Sequence, residues 1–214
     1  MKPKYNLFLC AACLILALLC SMAERREKDE ALAGRIAPEI LRFHVLANSD
    51  SADDQRLKLK VRTMLLDTIY EGLGENASLE ETKVYVVSHQ KTLEKRAERY
   101  MKNLGYDYPA HMELANSYFP VKTYGDMVFP CGTYEAVRVK IGKGKGRNWW
   151  CVLYPPLCFT DSSYAVVPDS SREILRESID PADYKLLNRE SPKIHIRLKL
   201  AELLTAAGKK PGNP

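Results

Sequence analysis

The sequence predicts an α/β or α+β fold, a single mixed sheet with helices packed on it. Short apolar or alternating runs end in polar, glycine or proline turns. Two longer segments between them repeat their apolar residues at three-and-four spacing. A later pair of alternating runs is joined by a short glycine-lysine connection. The expected order is strand–helix–strand–helix–strand followed by an antiparallel hairpin.

The first 23 residues precede that pattern. Lys2 and Lys4 lead into an apolar, uncharged run, and Ser21-Met22-Ala23 gives a small-x-small site before the charged Glu24-Arg25-Arg26-Glu27. This is the layout of a secretory signal peptide, with cleavage expected near Ala23. Leu7 to Ala23, about 17 residues, is also near the lower length of a spanning helix, so an uncleaved anchor is the alternative. Bulky Leu19 before Cys20 argues against a lipoprotein site. In each case the remainder is exported: a charged leader (24–38), one globular domain (39–206) with a polar excursion at 160–192, and a loose tail (207–214).

Within the domain, Ile40, Leu41, Phe43, Val45 and Leu46 form a first strand, stopped by Asn48-Ser49-Asp50-Ser51. Ser51 or Asp50 then caps a helix whose Leu57, Val61, Met64, Leu65, Thr68 and Ile69 share a face. Asp53 and Asp54 suit the positive end of its dipole. Arg56, Lys58, Lys60 and Arg62 occupy the other faces, and Gly72 and Gly74 end the helix. TKVYVVS (82–88) is the second expected strand. The second helix is QKTLEKRAERYMKNLG, with Leu93, Ala97, Tyr100 and Leu104 on one side and Gly105 as its stop. HMELANSYFP is the third strand, ended by Pro120. TYEAVRVKIG and NWWCVLYPP, joined through Gly142, Gly144 and Gly146, form the expected hairpin. Asp180-Pro181 announces a short helix. Residues 193–206 read equally as strand or helix.

Composition excludes several functions. The chain is 46% hydrophobic and 28% charged, a globular composition. Its net charge of +5 falls to about +3 without the two leader lysines, and the basic residues are dispersed, so nucleic acid is not an expected partner. Cys10, Cys13 and Cys20 lie in the leader. Cys131, Cys151 and Cys158 remain, an odd count that outside the cytosol fits one disulfide and one free thiol.

Catalytic motifs are weak. The Gly142–Gly146 run connects strands and lacks the following helix of a phosphate cradle. His44 with Asp50, Asp53 and Asp54 shows no metal-ligand spacing, and no metal or cofactor is expected. Asn48 to Ser51 has the chemistry of a turn feeding an N-cap, with a binding role as the alternative. Cys151 or Cys158 could pair with His44, His89, His111 or His195 in a thiol hydrolase. Neither cysteine, however, sits at the helix N-terminus or elbow that activates a nucleophile. Pro155-Pro156 cannot continue an ordinary paired strand, so the chain bends or runs as an extended edge between the cysteines, and with a turn there Cys151 can approach Cys158. Trp149, Trp150, Tyr154 and Phe159 alternate faces, which places one tryptophan in the core and the other partly in solvent, where it could anchor a partner.

RFHVLANSDSADDQRLKLKVR (42–62), FPCGTYEAVRVKIGKGKGRNWW and NWWCVLYPPLCF (148–159) together resemble the stage II sporulation protein R family. The resemblance covers about residues 39–160, with weaker likeness to the C-terminus. Cys131 stands where a small residue such as alanine is expected in relatives, which makes it the odd thiol and Cys151–Cys158 the pair. The resemblance implies a non-enzymatic signal of endospore formation, secreted from the forespore into the space between the two membranes. There it would activate a membrane-embedded aspartic protease that processes the sigma-E precursor. Membrane contact is expected only through the signal segment or that partner. The expected contact groups are His44, Asn48, Asp50, Asp53, Asp54, Trp149, Trp150, Tyr154 and Phe159. The competing function is an exported hydrolase, Cys/His- or metal-dependent, acting on cell wall or peptide.

Overall fold

The computed structural model describes residues 3–74, 77–158 and 167–188, with side chains from residue 8 onward. It is an α+β structure built on a four-stranded mixed sheet of order β2-β5-β1-β6. The strands are β1 (Leu41–Leu46), β2 (Ala110–Phe119), β5 (Gly132–Ile141) and β6 (Asn148–Tyr154). A small hairpin of β3 (Lys122–Tyr124) and β4 (Met127–Phe129) stands apart from this sheet.

Helix α1 runs from Pro3 to Ile36 without a break. From Phe8 to Met22 it is exposed, whereas Leu32, Ala33 and Ile36 near its other end are buried in the core. Ala33 packs directly over Gly132 on β5, where any side chain would collide with it. Arg35 grips Asp183 with two guanidinium nitrogens, tying α1 to α6 (Pro181–Leu187). The residues after the apolar run are thus held to the sheet by packing and to α6 by an ion pair.

Helix α2 (Ala52–Leu73) begins at Ser51, whose hydroxyl accepts the Asp54 amide, and its apolar stripe buries Leu57, Val61, Leu65, Leu66 and Ile69. Lys58, expected on an outer face, is instead buried. Its ammonium donates to Gln55 Oε1 (2.7 Å) and to the Arg147 carbonyl (3.0 Å). A buried lysine needs such acceptors, because burying an ammonium without them costs more than burying a neutral polar group.

Two expectations are corrected. Residues 82–88 form helix α3 (Leu79–Ser88) and not a strand. The Ser78/Glu81 capping box satisfies both ends of the first turn, and Thr82 and Val86 meet the core at i, i+4 spacing. Helix α4 (Gln90–Asn103) follows after His89 alone, so the chain runs β1-α2-α3-α4-β2. On α4, Met101 is buried together with Leu93 and Ala97, while Leu104 is partly exposed.

The second correction concerns the hairpin. Strands β5 and β6 do run in opposite directions, but β1 lies between them, parallel to β5 and antiparallel to β6. The six connecting residues Gly142 to Arg147 bridge two strand spacings, about 10 Å, which they reach easily. Strand β2 closes the other side, antiparallel to β5 over ten residues.

Register separates the two faces of the sheet. Phe43, Val45, Met112, Val137, Val139, Cys151 and Leu153 point toward α2 and α4. Arg42, His44, Tyr134, Arg138, Trp150 and Phe119 share the opposite face, which the end of α1 and the β3–β4 hairpin partly cover. Helix α6 starts at the expected Asp180-Pro181, with Asp180 accepting the Ala182 amide at 2.8 Å. Helix α5 (Asp169–Ser178) precedes it. The ambiguous segment 193–206, the tail 207–214, Phe159 and His195 lie outside the described residues.

Candidate functional site

The two motifs that stand apart in sequence meet at the C-terminal end of β1. The turn after β1 and the loop from β5 to β6 are clasped by backbone and side-chain bonds. Gly146 N donates to the Ala47 carbonyl (2.9 Å), and Lys145 N donates to the Asn48 carbonyl (3.2 Å). Asn48 Oδ1 accepts the Lys143 amide at 3.0 Å, and Asp50 Oδ1 accepts the Arg147 amide at 2.6 Å. The glycines make this approach possible. Gly142 and Gly144 adopt positive φ, and a methyl at Gly146 would overlap the Ser49 carbonyl.

Asp54 sits at the centre of the clasp. Its carboxylate accepts Asn48 Nδ2 at 2.8 Å and Ser49 Oγ at 2.5 Å, while its backbone amide is capped by Ser51. Burial alone would raise its pKa. The hydrogen bonds from Ser49, Asn48, Tyr108 and Ser51 outweigh it and hold the carboxyl below its usual range. Asn48 and Asp54 therefore face inward as structural groups. Asp50 and Asp53 face solvent, with side-chain exposures of 60% and 65%. Asp53 pairs with Arg56 one turn along α2.

Trp149 and Trp150 follow directly after the loop, on opposite faces of β6. Both are half-buried, so the alternation and a ring partly in solvent are observed, but neither tryptophan lies in the core. Trp149 lies under the Arg62 guanidinium, 4.2 Å from its ring, on the α2 side. Trp150 stacks on His44 with ring centroids 3.7 Å apart, and Phe119 meets it edge-on at 4.7 Å. Burial, with some help from the Arg138 charge, pushes His44 down to about 4 against the pull of Asn148, so the ring is neutral near pH 7. Tyr154 is at the far end of β6, opposite Leu41, about 17 Å from Trp149 at strand rise. It does not join this cluster.

Beyond Tyr154 the chain turns through Pro155-Pro156, and Cys158 returns to Cys151 in a disulfide with a Cα–Cα distance of 5.1 Å. Both sulfurs are buried, and Leu157 N donates to the Val152 carbonyl across the turn. The bond removes both thiols from nucleophilic chemistry, which eliminates them from the Cys/His hydrolase alternative. Cys131 is a buried free cysteine. Among the described residues no group of three or more His, Cys, Asp and Glu side chains could hold a metal ion.

One buried group escaped the sequence reading. Arg42 is fully buried on β1, and its guanidinium has no hydrogen-bond partner among the described residues. Phe119, Tyr134 and Phe129 surround it at 4.4, 5.1 and 5.7 Å, so ring faces take the place of a carboxylate. Its position between Leu41 and Phe43, in a short strand rich in apolar residues, was the available signal. For Lys58 and Arg147 no local signal existed, because the bonds that join Lys58 to the Arg147 carbonyl and the Arg147 amide to Asp50 link residues far apart in sequence.

These features define an α+β protein with an N-terminal helix long and apolar enough to cross a membrane, which fits a signal segment. Its disulfide suits an extracytoplasmic location. The chain belongs to the stage II sporulation protein R family, whose model matches residues 37–164. It is 36% identical over 158 residues to the stage II sporulation protein R of Bacillus subtilis (strain 168), covering 71% of this chain and 70% of that protein. No solved structure matches it. The membership supports a role in sporulation.

Proposed function

We propose that this protein is a non-enzymatic signal of endospore formation, secreted from the forespore into the space between the two membranes. It activates a membrane-embedded aspartic protease, and the activated protease processes the sigma-E precursor. The observation that supports this reading most strongly is the family membership, since the match spans both the polar turn and the aromatic strand. The clasp supports it as well. It fixes a rigid platform on which Asp50, Asp53, Arg56 and Arg147 are displayed to solvent.

In this reading Asp50, Asp53, Trp149 and Trp150 contact the protease, and His44, Asn48 and Asp54 hold them in place. Tyr154 extends the contact along the stapled edge, and Phe159 is a further contact residue. The test is co-expression of the full chain with the protease and its precursor substrate in a non-sporulating host. Processing that requires this chain supports the function, and Asp53→Lys removes processing while the chain stays folded. A processed precursor in the absence of this chain overturns it.

A further inference from the structure

Helix α3 carries apolar surface that the fold does not use. Leu79, Thr82 and Val86 bury its inner face, while Val84 and Val87 are 65% and 54% exposed. Three residues apart, they are neighbours on one side of the helix. Valine is a poorer helix former than alanine or lysine and here buries little, so neither helix propensity nor core packing accounts for the pair.

Beside them runs a groove of about 450 Å³ between α3 and the end of α2, lined by Leu73, Val84, Tyr85 and His89 among others. Tyr85 stacks on His89 with centroids 4.2 Å apart and reaches over Gly72, where no side chain would fit. The floor is therefore preformed.

The charge around this groove states what it accepts. Glu80 and Glu81 line it, and Glu135 reaches the same neighbourhood through Lys83. Lys83 is shared between Glu80 at 3.0 Å and Glu135 at 2.8 Å, and Glu81 is occupied by the Ser78 amide and hydroxyl. Glu80, Glu81 and Glu135 thus carry three negative charges against the single positive charge of Lys83, and a negative rim remains on a chain of net positive charge. Such a rim repels an anionic lipid surface and attracts a cationic peptide.

We infer that the α2–α3 groove is a second docking surface, taking an apolar peptide segment with a lysine or arginine from the extracytoplasmic side of the protease. This rests on the function proposed above. Helix α2, 22 residues and about 33 Å long, separates the groove from the clasp, so the two surfaces contact different parts of the partner.

The co-expression system tests this with a Val84→Ser/Val87→Ser double variant, a Glu80→Lys variant and a photo-crosslinking residue at position 84. Each variant is expected to lower precursor processing about tenfold or more, the effect of losing one interface anchor, with the thermal midpoint of the double valine variant unchanged. The crosslinker is expected to capture the protease from position 84 and not from exposed position 121. Wild-type processing by both variants overturns the surface while leaving the function standing. Capture of a second copy of this chain, or of nothing, also overturns it, even where a variant fails to fold. A wild-type chain that drives no processing overturns the function and this surface together.

Discussion

Replacing Asp54 with alanine removes the acceptor on which the clasp converges. Asn48 Nδ2 and Ser49 Oγ both donate to its carboxylate, and the residue is only 4% exposed. Each hydrogen bond to a charged group contributes about 1.5–3 kcal/mol, partly offset by no longer burying the charge, so a net loss of about 3 kcal/mol is expected. For a chain of this length that is about 6–12 °C in thermal midpoint. Adjacent Asp53 provides the control. It is exposed and paired only with Arg56, so Asp53→Ala changes stability by less than about 0.5 kcal/mol. The pH dependence follows the same residue. The folded pKa of Asp54 lies below the unfolded value near 3.9, so its contribution is complete above about pH 5 and lost as pH falls through the folded pKa. Urea melts at pH 7 and pH 3 read both effects. A destabilisation of Asp54→Ala no greater than that of Asp53→Ala would refute the account of the clasp.

Three further outcomes are expected. His44 is buried with a pKa near 4, below its unfolded 6.5, so wild-type stability declines by up to about 3 kcal/mol as pH falls from 6.5 to 4. His44→Phe flattens that decline in acid melts, and an unchanged slope contradicts the assignment. Replacing Cys151 and Cys158 by serine costs about 2.5 kcal/mol for a staple seven residues apart, measured by denaturation against the oxidised wild type. Alkylation of both cysteines without reductant would show that the staple is absent. Gly146→Ala pushes against the Ser49 carbonyl and costs about 1–3 kcal/mol in the same melts, whereas a neutral result would mean that the loop is not clasped.

Local pattern made most elements readable. Strand β1, helix α2 with its Ser51 cap, strands β2, β5 and β6, and the Asp180-Pro181 start of α6 all followed from periodicity and capping chemistry. The segment Val84-Tyr85-Val86-Val87 did not, because a short apolar run suits a strand or a buried helix turn equally. Ser78-x-x-Glu81, the capping box, was the deciding signal and precedes the run. The place of β1 between β5 and β6 was unreadable for a different reason. A six-residue connection permits either direct pairing or a step across one strand, and only the pairing of β1 with both neighbours selects the second.

The candidate site shows the same division. Asn48, Asp50, Asp53 and Asp54 were identifiable as a polar turn, yet their sorting into inward and outward groups depends on Lys143 and Arg147, about a hundred residues away. Arg42 was hidden because its partners are the aromatic rings of three other strands.

The most direct measurement is precursor processing in a non-sporulating host that carries the membrane-embedded protease, the sigma-E precursor and this chain. The account predicts a processed product only when all three are present, and an intact precursor when this chain is withheld or carries Asp53→Lys. Processing without the chain, or an intact precursor in the presence of the folded and exported chain, would contradict it.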